Sequence, residues 1–235
     1  MEGAVLKIDT HLHSSAISVC SRVNYKQLID KKIAQGYDGG VLTNHCDSLY
    51  YEEADHDAFM RKFVAEFERA EAYATQKGFL LWLGLEVTLH NPWYAHWLVF
   101  GATKELLLTS PCFHALKQSE LFEYCQKNGL TLVQAHPYRY GGKPIAPAFT
   151  HGLEINCSDG DLQRAEEIVA VAKTNGLLVT CGTDYHGLNK FVGGMCVPDW
   201  VKTGAEFNKY LRQTEETTVF LEDKVLRLPA FPPKK

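Results

Sequence analysis

The stretch "KIDTHLHSS", residues 7–15, joins a short apolar run to two histidines that stand two positions apart. Asp9 precedes His11 and His13 at the same spacing. In a β-strand, residues i, i+2 and i+4 project from one face, so these three side chains would leave the backbone in the same direction. Neutral imidazoles presented together at a strand end suit a divalent metal, whereas burying them without partners would cost free energy. A polar loop that holds two histidines by chance is the alternative, and this stretch alone does not decide between them.

Size and charge narrow the class of protein. The chain has 235 residues, of which 46% are hydrophobic, and this composition suits one domain with a sizeable core. A formal net charge of −4 does not indicate a nucleic-acid partner. The N-terminal residues lack the pattern of a signal peptide, and no window reaches the roughly 18 apolar residues of a membrane span, so we expect a cytoplasmic protein without a membrane partner. The seven cysteines are odd in number and lack C-x-x-C spacing, which argues against a disulfide framework.

Apolar runs alternate with amphipathic segments along most of the chain, the pattern of an α/β protein with parallel strands. Predicted strands cover 4–8, 37–45, 79–89, 95–101, 130–137, 151–157 and 177–184. Predicted helices cover 24–36, about 54–77, 119–129, 161–176 and 204–213, and a hairpin over 217–229 turns near Glu222–Asp223. Asn24, Ser119 and Asp161 are the predicted N-caps of three of these helices.

Metal-type ligands recur where these apolar strands end or begin. Six of the ten histidines and two carboxylates have such positions: His11, His13, His45, His96, His136, His186, Glu86 and Asp184. In a parallel barrel the carboxyl ends of the strands meet at one rim, so ligands distant in sequence would become neighbours. A tetrahedral site takes about four ligands, and eight therefore predict two or three metals that share some of them. For any one of these histidines alone a hydrogen-bonded core residue is the preferred interpretation, but for all of them together that interpretation is improbable. The other four histidines are interpreted as surface or packing residues: His56, His90, His114 and His151.

Six motifs resemble, in order, those of the PHP family, named for polymerase and histidinol phosphatase. They are "DTHLHS" at 9–14, "LTNH" at 42–45, "GLE" at 84–86, "QAHPYR" at 134–139, "GLEIN" at 152–156 and "GTDYH" at 182–186. They span about residues 5–190. The resemblance implies a distorted, TIM-like (β/α)7 barrel with its metal site at the C-terminal ends of the strands. It also implies that 1–235 is a single PHP-type domain, to which a helix and hairpin at 198–228 are appended.

The resemblance further implies a cluster of two or three divalent ions, of zinc, manganese or iron, held by eight residues. The implied groups are His11, His13, Glu86 and Asp184 for the first metal; Glu86, His136 and His96 for the second; and His45 and His186 for the third. Asp9 and Glu154 would orient imidazoles from outside the cluster.

The chain departs from the family pattern at two positions. Family members commonly carry an acidic residue or a histidine shortly after the H-x-H motif. In "SSAISVCSR", residues 14–22, Cys20 is the one residue that could coordinate a metal strongly. Whether the third metal site is filled therefore stays open. Asn44 stands where an aspartate is frequent.

The resemblance implies a metal-dependent phosphoesterase. Bound cations neutralise phosphoryl oxygens and lower the pKa of a bound water from near 16 to about 7, so no serine or cysteine nucleophile is required. Arg139 either offers forked donors to a phosphate or is a surface arginine, and Lys143 is a weaker candidate for the same contact. The expected substrate is a small phosphorylated metabolite such as a nucleotide or histidinol phosphate. The expected catalytic residues are His11, His13, Glu86, His136, Asp184 and Arg139.

Three other functions stay open. One is a protein tyrosine phosphatase of the same family. A second is an amidohydrolase-type hydrolase, which usually needs a metal-bridging lysine, although no predicted strand here ends on lysine. The third is a metal-binding accessory module without turnover.

Overall fold

A single curved sheet with helices packed against it forms the body of the molecule. The computed structural model describes residues 5–90, 94–139, 142–157, 162–188, 191–222 and 224–230. Within these ranges the strands are β1 (Val5–Leu12), β2 (Gly39–Leu42), β3 (His45–Cys46), β4 (Leu80–Leu89), β5 (Ala95–Phe100), β6 (Thr131–Gln134), β7 (Gly152–Asn156), β8 (Leu178–Gly182), β9 (Gly193–Pro198), β10 (Glu216–Leu221) and β11 (Lys224–Pro229). The α-helices are α1 (Tyr25–Ala34), α2 (His56–Gln76), α3 (Lys104–Leu108), α4 (Gln118–Lys127), α5 (Ala165–Asn175) and α6 (Gly204–Gln213).

The strands form a nearly closed barrel. Their order is β11-β10-β9-β1-β2-β4-β5-β6-β7-β8, and β3 pairs with β4 beside this path. The segment after β8 returns to β1 through a parallel bridge between Leu12 and Tyr185. The seven strands from β1 to β8 on the main path correspond to the expected barrel, and β9 to β11 extend it beyond β1. The prediction of an α/β barrel is therefore confirmed.

The prediction of parallel strands holds for the pairs β1–β2, β2–β4, β6–β7 and β7–β8 but is wrong at β5 and β9. β5 runs antiparallel to both β4 and β6, and β9 runs antiparallel to β1. Only residues 90–94 connect β4 to β5. A parallel pair needs a crossover of a dozen or more residues, so a connection this short makes β5 antiparallel to β4.

Helix starts follow local capping chemistry. The side chain of Asn24 accepts hydrogen bonds from the backbone of Lys26 and Gln27, which confirms it as the N-cap of α1. Helix α4 instead begins one residue before Ser119, so the prediction of Ser119 as N-cap is wrong. The reason is that the Glu120 carboxylate accepts the backbone N–H of Lys117 at 2.8 Å, which starts the helix earlier.

Other elements were missed or lie partly beyond the described residues. Asp161 and Asp223 are outside the described ranges, although β10 and β11 flank the predicted hairpin turn. Strand β9 was not predicted, because it begins with two glycines that close packing requires. A Cβ atom at Gly194 would lie 2.2 Å from the carbonyl oxygen of Ile8.

The predicted apolar stripe of α2 is buried in the helix–sheet core. Phe59, Phe63, Phe67 and Ala70 are each at most 8% exposed, and they pack in one cluster with residues of β4. Burying a side chain such as phenylalanine contributes about 1.5–3 kcal/mol, so this stripe fixes α2 against the sheet. Of the helices in the described part of the chain, none combines the length and apolar character that crossing a membrane requires.

Candidate metal centre

The eight expected ligands meet at one rim of the barrel. His11 and His13 lie at the end of β1, Glu86 lies near the end of β4, and Asp184 follows β8. His96 lies near the start of β5, and its neighbour across the strands is Thr88 of β4. Because β5 is antiparallel to β4, the start of β5 reaches the same rim as the carboxyl ends of the parallel strands.

Glu86 is the central carboxylate of this cluster. Its side chain is completely buried, and its two oxygens face two different sets of imidazole nitrogens. Oε2 lies 3.3 Å from His11 Nε2, 3.2 Å from His13 Nε2 and 2.9 Å from His45 Nδ1, whereas Oε1 lies 2.9 Å from both His96 Nδ1 and His136 Nε2. This placement suits a carboxylate that bridges two metal ions.

Asp184 is the second carboxylate that contacts several histidines of the cluster. Its Oδ1 atom lies 3.2 Å from His11 Nε2, 3.0 Å from His13 Nε2 and 3.3 Å from His186 Nδ1. Its other oxygen accepts a short hydrogen bond from Arg139 Nη1. Asp184 therefore presents one oxygen to the histidines while an arginine holds the other.

The hydrogen bonding of the ligand atoms indicates whether the cluster fits metal ions. Among the described residues, five buried atoms of the cluster have no hydrogen-bond partner: His11 Nε2, His13 Nε2, His45 Nδ1, Glu86 Oε2 and Asp184 Oδ1. An unsatisfied buried polar atom costs about 1–3 kcal/mol, and such atoms are rare in native interiors. Imidazole nitrogens and carboxylate oxygens are ligands that divalent metals accept, so the set fits metal ions.

Three overlapping groups have all their ligand atoms within 4.8 Å of one another. They are His11, His13, Glu86 and Asp184; His45, Glu86 and His96; and His13, His45 and His186. The first group has the membership expected for the first metal. The second contains His45 where His136 was expected, although His136 also contacts Glu86, and the third adds His13.

Neighbouring side chains orient these ligands. Glu154 Oε1 lies 2.9 Å from His11 Nδ1, and Glu154 Oε2 accepts the backbone N–H of His136 at 3.0 Å. His13 Nδ1 lies 3.0 Å from the hydroxyl of Ser18, which donates in turn to Asn44 Oδ1. Such partners fix the ring orientation and basicity of a metal ligand. Sequence reasoning missed Ser18, since a serine in a polar loop carries no distinguishing signal.

Asp9 does not orient an imidazole, so that expectation is wrong. Its carboxylate accepts the backbone N–H groups of His11 and Thr183 and contacts the ammonium of Lys32 at 2.7 Å. The register of β1 against β2 shifts between Asp9 and Leu12, and such a bulge redirects the side chains that strict alternation would place together.

Burial and charge set the protonation of the histidines in opposite directions. Burial opposes the charged form of His11, but the carboxylates of Glu154, Asp184 and Glu86 outweigh it and raise the pKa of His11. Burial and two neighbouring imidazoles lower the pKa of His13 to about 3. His13 is therefore neutral near pH 7, which is the form that binds a metal.

A cavity of about 560 Å³ opens over the cluster. Arg139, Lys143, Tyr50 and Tyr94 line it together with several of the histidines. The side chain of Arg139 is only 12% exposed, so its interpretation as a surface arginine is wrong. Its guanidinium contacts Asp184 and, at 3.3 Å, Asn156 Oδ1. Contact between Arg139 and a phosphate stays a prediction.

The described residues thus form an α/β barrel with histidines and carboxylates at one rim. No family model and no curated protein matches the chain. Solved structures do match. A two-domain protein from Bacteroides vulgatus that contains a predicted PHP-like metal-dependent phosphoesterase aligns with a TM-score of 0.63 at 16% identity. The match covers 93% of this chain and 65% of that protein, so this chain spans about two thirds of its length.

Two further structures share the fold. PsfC from Pseudomonas syringae aligns with a TM-score of 0.58 at 19% identity over 92% of this chain and 82% of PsfC. An amidohydrolase from Chromobacterium violaceum aligns with a TM-score of 0.57 at 15% identity, over 77% of this chain and 87% of that one. The resemblance to PHP-like proteins is thus confirmed at the level of fold, and these matches include both phosphoesterase-type and amidohydrolase-type barrels.

Proposed function

We propose that the protein is a metal-dependent hydrolase that cleaves phosphate esters of small molecules. The carrying observation is the set of five buried ligand atoms around Glu86 that have no hydrogen-bond partner among the described residues. They lie beside a cavity that two cationic side chains, Arg139 and Lys143, also line. The proposed ligands are His11, His13, His45, Glu86, His96, His136, Asp184 and His186.

Two or three ions of zinc, manganese or iron would supply charge neutralisation at phosphoryl oxygens and would lower the pKa of a water. The chain's own residues have three tasks in this proposal. Glu86 joins the ligand groups, since each of its oxygens faces different imidazoles. Glu154 and Ser18 hold the rings of His11 and His13. Arg139 holds Asp184 and, in this proposal, also contacts the substrate phosphate.

The cavity supports a small substrate. Its volume lies within the roughly 300–1,000 Å³ that is usual for small-molecule sites. Tyr50, Tyr94 and Lys143 line it, so aromatic surface for a planar leaving group and a positive charge for a phosphate lie at the same cavity. A phosphorylated metabolite of nucleotide size satisfies these requirements.

An amidohydrolase-type reaction is the second candidate, because the fold is also that of an amidohydrolase. Against it, such enzymes commonly place a lysine between two metals, and none of the strands β1 to β8 ends on a lysine.

The test compares ester and amide cleavage by metal-loaded protein. Nitrophenyl phosphate, bis-nitrophenyl phosphate, a phosphotyrosine peptide and nitroanilide amides are assayed with zinc, manganese or iron, with and without chelator. We expect phosphate release that chelation abolishes and that Glu86→Gln lowers by roughly 100-fold or more, since this change alters the shared ligand. Glu105→Gln, at an exposed position, is the matched control. Amide cleavage without ester cleavage would support the amidohydrolase, preference for the peptide would support a tyrosine phosphatase, and a fully metallated but inactive protein would support an accessory module.

A further inference from the structure

Three loops at the opening of the cavity each carry an exposed apolar or aromatic side chain. Leu49 is 73% exposed, Tyr94 is 55% exposed and Leu188 is 64% exposed, and all three line the cavity. We call these three side chains the apolar collar. Each lies within four residues of a proposed metal ligand in the sequence: Leu49 of His45, Tyr94 of His96 and Leu188 of His186. A single exposed leucine is ordinary on a protein surface, whereas several at one cavity mark a ligand-binding surface.

Lysine and arginine charge at the same cavity comes from a different loop. Arg139 and Lys143 both follow strand β6, and they are the arginine and the lysine among the described residues that line the cavity. Guanidinium and ammonium groups are the usual partners of a phosphate. The cavity therefore joins a cationic loop, which suits the phosphate of a substrate, to an apolar collar that a phosphate does not require. The collar is left to contact the organic part of the ester.

Two polar side chains that could instead serve a sugar are already engaged within the protein. Gln134 and Asp47 line the cavity and are 2% and 3% exposed. The Gln134 amide donates to the carbonyl of Lys143 at 3.1 Å and accepts the backbone N–H of Ile145 at 2.8 Å. Asp47 Oδ1 accepts the backbone N–H of Leu49 at 2.9 Å. Sugar hydroxyls lose water on entering a cavity, and each one left without a partner costs free energy. These contacts therefore disfavour a sugar beside the apolar collar.

We propose that the cavity takes phosphate esters whose organic group is apolar, an alkyl or aryl group, in preference to sugar phosphates, and that the apolar collar determines this specificity. Covering the collar with an apolar group removes hydrocarbon surface of both partners from water, which is favourable in proportion to the area buried. A hydroxylated group of the same size gains less there, because its hydroxyls give up water without new partners. The inference rests on the proposed function, since it names the substrate class of the same site.

Alkyl phosphates of increasing length test this specificity. Metal-loaded full-length protein is assayed with propyl, pentyl and heptyl phosphate, and glycerol phosphate is the matched polar partner of propyl phosphate. These esters all release unactivated alcohols, so differences in rate report contacts with the organic group. We expect kcat/KM to rise with chain length, by up to about fourfold for each methylene that becomes fully buried, and propyl phosphate to be preferred over glycerol phosphate. Alkylphosphonates, which inhibit without being cleaved, should show the same chain-length dependence in their inhibition of nitrophenyl phosphate hydrolysis.

Variants of the collar assign the effect to its side chains. The double variant Leu49→Asn with Leu188→Asn should reduce the gain per methylene by roughly half or more, because both leucines would lose apolar contact with the chain. Leu108→Asn is the matched control, since Leu108 is 45% exposed on α3 and is not among the residues that line the cavity. Both collar leucines are more than half exposed, so the double variant should keep the far-ultraviolet circular dichroism of the unaltered protein.

The outcomes separate this inference from the proposed function. Rates and inhibition constants that do not depend on chain length, or a preference for glycerol phosphate over propyl phosphate, would overturn the specificity while leaving the hydrolase intact. A chain-length dependence that survives unchanged in the double variant would overturn the role of the collar. Failure of the metal-loaded protein to cleave any phosphate ester, nitrophenyl phosphate included, would instead overturn the proposed function itself.

Discussion

The buried ammonium of Lys32 supports the cluster of histidines and carboxylates from the side of helix α1. Its Nζ atom lies 2.7 Å from Asp9 Oδ2 and 3.0 Å from Thr183 Oγ1, and the side chains of Lys32 and Asp9 are both 0% exposed. Asp9 also accepts the backbone N–H groups of His11, a proposed metal ligand, and of Thr183, which precedes the proposed ligand Asp184. Replacing Lys32 with methionine would keep most of the volume and leave the Asp9 carboxylate buried without its cation.

The size of the effect follows from these contacts. Removing one partner of a buried ion pair costs about 3–5 kcal/mol, because the other charge remains without compensation. Methionine also gives up the cation–π contacts of Nζ with Tyr37 and Tyr185, whose ring centroids lie at 4.9 and 4.6 Å. For a chain of this length each kcal/mol lowers Tm by about 2–4 °C, so we expect a fall of about 6–20 °C.

Urea unfolding followed by circular dichroism measures the loss in free energy of unfolding. Chelator is present so that metal binding does not contribute. Lys31→Met is the matched control, since Lys31 is exposed on the same helix. The double variant Asp9→Asn with Lys32→Met removes the orphaned charge and should recover part of the stability. A loss below about 1 kcal/mol for Lys32→Met, the size of an ordinary surface change, would refute the reasoning.

Three further predictions concern metal binding and pH. Glu154→Gln should weaken metal affinity roughly 10–100-fold in a competition assay with a chelating dye, because Glu154 engages both His11 and the backbone of His136. Chelation should lower Tm in differential scanning fluorimetry, since a metal present at about 100 times its Kd stabilises by about 2.7 kcal/mol. Burial, and secondarily Arg212, lower the pKa of His151 to about 4. The unfolded chain therefore binds more protons between that value and about 6.5, and stability should fall over this window as the pH is lowered, by up to about 3 kcal/mol. His151→Asn should remove that part of the pH dependence in urea titrations; an unchanged slope would contradict it.

The parts of the fold that were predictable depend on local chemistry. The spacing of Phe59, Phe63 and Phe67 predicted helix α2, and Asn24 predicted the start of α1, because periodicity and capping act within a few residues. Strand direction is different. β5 is an apolar run like those of the parallel strands, and its direction depends on the pairing partners that the folded sheet supplies. Strand β9 was hidden by Gly193 and Gly194, which weaken any strand pattern.

The position of the candidate site at the barrel rim could be predicted, because the sequence indicates where the apolar strands end. Histidines that follow apolar runs meet at a barrel rim whichever exact strand each belongs to. The family resemblance implied the first group, but the other two groups were not predictable, because distances between residues remote in sequence decide that His45 shares a group with Glu86. Lys32 was also missed, since a lysine on an amphipathic helix predicts a solvated face unless its buried partner Asp9 is known.

Several energetic costs fall on the same small region. His136 and Asp184 have φ angles of +28° and +50°, and such backbone conformations in non-glycine residues cost on the order of 1–3 kcal/mol each. Asp184 is also a nearly buried carboxylate, and its Oδ1 lacks a hydrogen-bond partner among the described residues, as does Oε2 of the buried Glu86. If this region served stability alone, we would expect at least one of these energetic costs to be absent. Binding of cations would offset the charge and the unsatisfied atoms together, and this is the physical reason to interpret the rim as a functional site.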